Sequence, residues 1–548
     1  MKPFRRRSFL QGGAAGAALI GIGAGATSCS PPPPTAFNHG VASGDPTDSA
    51  FIIWTRVSVA EPGDMPVQWV VSRDPELRDV VASGKAVARP LHDYCVKVDV
   101  ALPAGETPGS SYHYGFVTHD QRSPIGRTRT FPSSGLADAK LAVVSCSNYM
   151  AGFFHVYREL AKRDDIQAVL HLGDYIYEYG ADGYGAEIGE KIGRLVADPG
   201  HEILSLRDYR GRYAQYRSDP DLQAAHARHP FIAVWDDHES ANNSWREGAQ
   251  NHDEETEGSW SERRAAALQV YSEWMPIRLP QPDSLLRIYR DFRIGDLVHL
   301  HMLDTRLIGR DRQLEYSDFM GDAGFDQTGF RKALSDPDRQ LLGPKQYAWL
   351  EDNVAQSEAT WQVLGQQVLM GRIGIPKLSD LTGEGVPETF LRFLKSIEGR
   401  QLPSNLDAWD GYPVQREALL SLAQQQGKSL ISLAGDTHNA WASNLYNNRR
   451  QQAGVEFAVS SVTSPGISDY LRLRRPKLAE RRSRDFNPGL RYINSRSRGY
   501  LVLSLSQDSA EAEYIFLDSV LDRESYQVLE KDTQRLAVDA APGSALRS

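Results

Sequence analysis

A chain of 548 residues is too long for one small core and predicts two or more domains. With 41% hydrophobic and 24% charged residues it reads as a globular enzyme, not as a disordered or fibrous chain. A formal charge of -9 excludes the basic footprint of a general nucleic-acid binder, so an anionic substrate must meet a local positive feature, bound metal or clustered arginine.

Residues 1–34 read as an export signal and spacer. Arg5, Arg6 and Arg7 precede Ser8, Phe9 and Leu10, the pattern of a twin-arginine signal. The run "GGAAGAALIGIGAGA" (12–26) that follows is too short and too Gly-rich to be a stable membrane span. The twin-arginine translocation machinery is therefore an expected partner, with a periplasmic or extracellular destination. "TSCSPPPPT" (27–35) reads as a cleavage region and stiff spacer. Cys29 offers a lipid anchor as the alternative, although Ala26-Thr27-Ser28 is a poor lipobox.

Over 35–135 the segments "FIIWTRV", "VQWVVS", "HDYCVKVDVAL" and "SSYHYGFVT" alternate between Pro, Gly and Asp turns, which predicts a small antiparallel β-sandwich domain. From 136 to 520 strands and helices alternate, the pattern of an α/β domain. "AKLAVVSCSNY", "AVLHLGDY", "HPFIAVWDDHE", "LVHLHMLDTR", "TWQVLGQQVLMG" and "SLISLAGDTHNAW" are its strands. "FFHVYRELAKR", "SLRDYRGRYAQYR", "DPDLQAAHAR", "GPKQYAWLEDNVAQ" and "YPVQREALLSLAQQQ" are its helices. Residues 371–408 are expected to form a surface loop or lid, 474–489 a solvated excursion, and 521–548 a tail or lid segment.

Four of these strands end in residues that can bind metal. They are Cys146 in "VVSCSNY", Asp174 and Tyr177 in "HLGDYIY", Asp236, Asp237 and His238 in "VWDDHE", and Asp436 and His438 in "LAGDTHNAW". One such end is an ordinary polar sheet edge. Four of them share the carboxyl edge of a parallel sheet, where open α/β sheets keep their ligands. Cys146, Asp174, Tyr177 and His438 offer thiolate, carboxylate, phenolate and imidazole, and the phenolate points to a strongly Lewis-acidic ion such as Fe³⁺ over Zn²⁺. Asp174, Asp237 and Asp436 offer only oxygen, which suits Ca²⁺, Mn²⁺ or Mg²⁺. A shared carboxylate would set two ions side by side. If Cys146 is a ligand, Cys95 has no disulfide partner. Asn148 reads either as a substrate contact or as a turn cap, and Arg306 either as a phosphate clamp or as a salt-bridge partner. Asn242, Asn243, Arg210, Arg217, His299 and His301 read as supporting or structural residues, and "VLGQQVLMG" leaves the role of Gln366 and Gln367 open.

These motifs resemble the metallophosphoesterase family, with Cys146 in place of its early Asp, "DDHE" for G-N-H-E and "GDTH" for G-H-x-H. Together with "HGVASGDPTDSAFIIWTRV" (39–57) and "YRSDPDLQAAHARHPFIAVWDDHE" (216–239), they are similar to the PhoD-type alkaline phosphatase branch of that family. The resemblance spans about residues 37–520. It implies a four-layer α/β/β/α core and hydrolysis of phosphate monoesters and diesters. It also implies Fe³⁺ on Cys146, Asp174, Tyr177 and His438, Ca²⁺ on Asp174, Asp237 and Asp436, and catalytic roles for Asp174 and for His238 at the phosphoryl group. Three readings compete with a phosphatase: a phospholipase D-like diesterase on the same motifs, a surface-anchored binding protein with a structural metal, and a metal-dependent oxidoreductase, which an oxygen-rich second site fits poorly.

Overall fold

The computed structural model describes residues 37–119, 121–281, 284–321 and 324–547. The expected signal, Cys29 and spacer over 1–34 lie outside the described residues.

The apolar runs Asp138–Val144, Ala168–His171 and Pro230–Ala233 pair in parallel at the centre of a nine-stranded sheet. Nearly every residue of the three is buried, which is why they read as continuous rather than alternating apolar strings. Antiparallel strands Arg498–Ser506, Ser509–Leu517 and Gln534–Asp539 extend one side. On the other side Val41–Gly44 lies parallel to Pro230–Ala233, and Ala50–Arg56 and Cys95–Ala101 follow antiparallel.

The N-terminal strands are therefore not closed on themselves, as a free-standing sandwich would require. Three of them belong to the central sheet, while Met65–Ser72, Val80–Ala88 and Ser111–Thr118 form the body of a separate five-stranded sheet. Val67, Val71, Tyr112 and Phe116 of that sheet share one core with Val41, Phe51 and Ile53 of the central one. A buried ion pair, Arg290 to Asp45 at 2.7 and 2.8 Å, adds a polar tie from the second half of the chain to the end of Val41–Gly44.

A seven-stranded sheet carries the parallel strands Val298–Met302, Trp361–Gly365, Ser429–Ala434 and Gln452–Ala458. Arg290–Ile294 closes one edge; Ala440–Tyr446 and Leu490–Asn494 extend the other. The largest core joins the two sheets, with Leu141, Val143 and Leu170 from one and Leu300, Val363 and Ile431 from the other. A second core packs Leu350 and Val354 of the helix Gly343–Gln356, and Leu419 and Leu420 of the helix Pro413–Gln425, on Leu364 and Leu430.

Three segments differ from expectation. The supposed loop 371–408 contains the helix Glu388–Ile397, which opens after Pro387 and buries Leu394 and Ile397. The supposed excursion 474–489 contains the helix Pro476–Phe486, started by a proline in its first turn and burying Ala479 and Ser483 beneath a basic surface. The C-terminal segment is no free tail, because Gln534–Asp539 pairs along the edge of the central sheet. No helix among the described residues is long and apolar enough to cross a membrane.

Candidate metal centre

The four strand ends converge, but not on the edge of one sheet as expected: three leave the nine-stranded sheet, while Ser429–Ala434, which leads to Asp436 and His438, belongs to the seven-stranded one. The backbone there is unusual. Cys146, Asp174, Asp436 and His438 all adopt left-handed backbone, with φ of 61°, 55°, 60° and 61°. Such a conformation costs a non-glycine residue about 1–3 kcal/mol, and it is a mark of sites where geometry is imposed by function. Gly173, at φ 102°, makes the turn that ends its strand, and a Cβ there would lie 2.3 Å from Asp236 Cβ. That close approach brings the Asp174 and Asp236 strand ends together. Glu239 fixes the same junction by accepting the backbone N–H groups of Asp174 at 3.0 Å, Tyr175 at 2.7 Å and Asp236 at 2.8 Å.

Three sets of ligand atoms cluster within 4.8 Å: Cys146 with Asp174 and His438; Asp174 with Asp237 and His238; and Asp236 with Asp237 and Asp436. Asp174 belongs to two sets and Asp237 to two, so the sets form one chain of donors. The Tyr177 hydroxyl lies 3.0 Å from Asp174 Oδ2, 3.3 Å from His438 Nε2 and 2.7 Å from Ser464 Oγ. One phenol proton cannot serve all these neighbours. His438 Nδ1 donates to the carbonyl of Pro465 at 2.8 Å, which leaves Nε2 as the lone-pair nitrogen. Cys146, Asp174 and Asp237 are buried, whereas Asp436 and His438 are partly exposed and mark the open side.

The electrostatics call for cations. Burial raises Cys146 and Tyr177, and the Asp174 carboxylate raises both further. Burial and the neighbouring carboxylates also raise Asp174 and Asp236, and hold Asp436 up at about 7. Asp237 is held low, because Arg306 and His238 outweigh its burial. His438 is pushed down to about 3 by desolvation, so it is neutral, as a ligand must be. Asp174 Oδ1 and Asp236 Oδ2 are buried with no hydrogen-bond partner among the described residues. Two orphaned carboxylate oxygens among thiol, phenol, imidazole and further carboxylates fit bound metal ions.

His238 Nδ1 lies 2.7 Å from Glu178 Oε2, and its ring stacks on Tyr177 at 4.2 Å between centroids. Burial opposes protonation of His238, but Glu178, Asp237 and Asp174 raise it well above its ordinary value. Two of the anticipated contacts fall elsewhere. Asn148 is 1% exposed; its Oδ1 accepts the N–H of Met150 at 2.9 Å and its amide donates to the carbonyl of Tyr184 at 3.2 Å, so it caps a turn. Arg306 is fully buried and pairs with Asp236, Asp407 at 2.7 Å and Asp436 at 3.2 Å, so it balances carboxylates at the floor of the site instead of reaching out as a clamp. Gln366 and Gln367 bond just beyond the ends of Val298–Met302 and Trp361–Gly365, to Val368 O and to Thr305 and Leu303 O. Arg210 pairs with Glu273, Arg217 packs over Trp54, and His299 and His301 bond Asp291 and Gln362. Asn243 donates its backbone N–H to Asp237 Oδ2 at 2.6 Å, and Asn242 does so to Glu178 Oε1 at 2.7 Å.

Sequence reasoning underrated Asp236, Glu178, Glu239 and Asp407. The first and third stand inside "DDHE" and Glu178 inside "YIYEYG", so their motifs already pointed to them. Asp407, in "SNLDAWD", carried no signal, because only the fold brings it to Arg306 and Arg310.

Comparison with known proteins agrees with this geometry. Residues 141–514 match the model of the PhoD-like phosphatase, and residues 24–132 match the PhoD-like phosphatase N-terminal domain. The chain belongs to the PhoD-like phosphatase family. It is 33% identical over 538 residues to alkaline phosphatase D of Bacillus subtilis (strain 168), covering 93% of this chain and 84% of that one. A solved structure of PhoD superposes with a TM-score of 0.75 at 30% identity, covering 94% of this chain and 93% of the other. As a PhoD-like phosphatase the chain is a phosphoric ester hydrolase.

Proposed function

We propose that this PhoD-like phosphatase is an exported alkaline phosphatase and phosphodiesterase that holds Fe³⁺ and Ca²⁺ in a four-layer α/β/β/α core. Cys146, Asp174, Tyr177 and His438 would hold the iron; Asp174, Asp237 and Asp436 would hold the calcium, with Asp236 beside them. The observation that carries this reading is the sharing of Asp174 between one ligand set with Cys146 and His438 and another with Asp237, while its Oδ1 has no hydrogen-bond partner among the described residues. Bound metals of this kind supply Lewis acidity and a nucleophile for in-line displacement at phosphorus.

The chain's own residues account for the rest. Arg306 offsets Asp236 and Asp436 from below and keeps them in place. Glu178 orients His238 through Nδ1 and favours its protonated form, so His238 Nε2–H supplies a proton to the ester oxygen as its bond to phosphorus breaks. The partly exposed side at Asp436 and His438 admits the ester.

Hydrolysis of p-nitrophenyl phosphate and of its bis ester, with metal analysis on the same preparation, tests the reading. Activity on both, with iron and calcium in the active protein, is expected. Activity with stoichiometric zinc would overturn the ion assignment, and no activity on either ester would overturn the function. Export is tested separately: Arg5→Lys with Arg6→Lys should leave the protein in the cytoplasm.

A further inference from the structure

A cleft of about 960 Å³ lies away from the metal centre. Its walls are the strand Ala440–Tyr446 and the chain just after it, the loop at 372–374, and the first turn of the helix Pro413–Gln425. His438, at the metal centre, precedes that strand, while the cleft takes its far half from Ser443 to Tyr446. At about 3.3 Å per strand residue, the two sites are some 15–25 Å apart. No member of the three ligand sets lines the cleft.

Three arginines line it: Arg372, Arg416 and Arg450. Among the described residues none has a carboxylate within 4.0 Å, unlike Arg306 at the metal centre. Arg416 is 1% exposed, and its guanidinium donates only to carbonyls: Nε to Met370 O at 2.6 Å and Nη1 to Tyr446 O at 3.2 Å. Those bonds fix its plane; Asp410 and Glu456 offset part of its charge, yet neither pairs with it directly. A buried cation normally sits beside an anion, because the alternative is a large desolvation cost. A further group points to a missing ligand: Ser443, also on the wall, is 2% exposed, and its Oγ has no hydrogen-bond partner among the described residues. Such orphans in native structures call for an explanation.

One acid shares the cleft. Asp410 accepts the N–H of Ile373 at 3.0 Å, and no arginine lies within ion-pair distance of it among the described residues. An anion there must therefore tolerate a carboxylate. An oxyanion that carries its own proton does so, because its O–H donates to the carboxylate while its other oxygens accept from the guanidiniums. Sulfate has no such proton at neutral pH. Hydrogen phosphate has one, and this enzyme releases phosphate.

We propose that this cleft is a second, non-catalytic oxyanion site that binds inorganic phosphate as HPO₄²⁻. Arg372, Arg416 and Arg450 donate to its oxygens, Ser443 supplies a hydroxyl, and Asp410 accepts the P–OH hydrogen. The site does not depend on which metals occupy the catalytic centre.

The test is equilibrium dialysis of the metal-loaded full chain against radiolabelled inorganic phosphate. Wild type should bind two phosphates per chain. The double variant Arg372→Gln with Arg450→Gln, at two exposed positions, should bind one, with affinity at the lost site at least about tenfold weaker. Its metal content and its kcat/KM on p-nitrophenyl phosphate should stay within about twofold of wild type, which separates failure here from failure of the proposed function. Excess sulfate should leave the second phosphate bound. Equal phosphate bound by wild type and the double variant, or displacement by equimolar sulfate of the phosphate that the double variant lacks, would each overturn the proposal.

Discussion

Glu178 holds His238 by its Nδ1 at 2.7 Å while its other oxygen accepts the backbone N–H of Asn242 at 2.7 Å. The carboxylate is thus fixed at both ends, and the imidazole ring is fixed with it. His238→Ala should keep iron and fold normally, yet lose about 10²–10⁴-fold in turnover. The loss should shrink for esters with good leaving groups. Glu178→Gln should show the same dependence on leaving group, with a smaller loss. Release of iron from His238→Ala would make it a ligand or a ligand's support.

Tyr177 lies within 3.0–3.3 Å of both Asp174 and His438, so a phenolate there would share their ion. Phenolate and thiolate on Fe³⁺ absorb visible light, and the purified protein should be coloured. Tyr177→Phe should bleach that band or shift it strongly, as read by absorption spectroscopy. A colourless and fully active enzyme would count against iron.

The oxygen-only set around Asp237 and Asp436 suits an ion that exchanges. A calcium-selective chelator should abolish hydrolysis, and added Ca²⁺ should restore it. Recovery with Mn²⁺ or Mg²⁺ but never with Ca²⁺ would reassign the site. Asp174→Ala should lose iron and weaken calcium, because its carboxylate lies with Cys146 and His438 in one set and with Asp237 in another that adjoins the oxygen-only set.

Arg306 is the buried counter-charge to Asp236, Asp407 and Asp436. Replacing it by methionine leaves those carboxylates uncompensated, at a cost of about 3–5 kcal/mol. Urea unfolding should show that loss, and saturating metal should return part of it, since a cation replaces a cation. Full stability of the metal-free variant would show that the carboxylates find another partner.

Cys95 and Cys146 are both buried and free. Mass spectrometry under non-reducing conditions should find no bridge between them. Both thiols should react with a thiol reagent in denaturant, and Cys146 should be slower in the metal-loaded native protein than in the stripped one. A Cys95–Cys146 disulfide in active enzyme would exclude Cys146 as a ligand.

The sequence exposed most of the site because the donors sit directly on strand ends, where a buried apolar run stops at a polar residue. Cys146, Asp174, Asp237 and Asp436 are all of this kind, and the structure brings them together. Arg306 and Asn148 also follow strands, yet their side chains turn inward to carboxylates and to a turn. Nothing in a local pattern distinguishes an arginine that faces solvent from one that balances acids contributed by three distant segments. The helices Glu388–Ile397 and Pro476–Phe486 were hidden for different reasons. The first sits among glycines and prolines that suggest a loop, although Phe390, Phe393, Leu394 and Ile397 keep helical spacing. The second carries so much charge that its narrow apolar stripe is easy to miss. The sharing of the central sheet by N-terminal strands was invisible, because parallel pairing of Val41–Gly44 with Pro230–Ala233 joins residues almost 190 positions apart in sequence, Ser43 opposite Pro230.

Cys146, Asp174, Asp236 and Asp237 hang from the nine-stranded sheet, whereas Asp436 and His438 hang from the seven-stranded one. Any ion held by both groups is a rivet through the seam between the sheets. Without it, Arg306 alone, paired with Asp236 on one side and Asp436 on the other, offsets the carboxylates that face one another across that seam from backbone set in a costly conformation. Ion capture then adds to the shared core and to Arg306 a further tie between the two halves, and a chain that has not captured its ions should betray itself first at that end, by faster amide exchange in the segments after Val144, His171 and Ala434, while the distant Gln534–Asp539 edge stays unchanged.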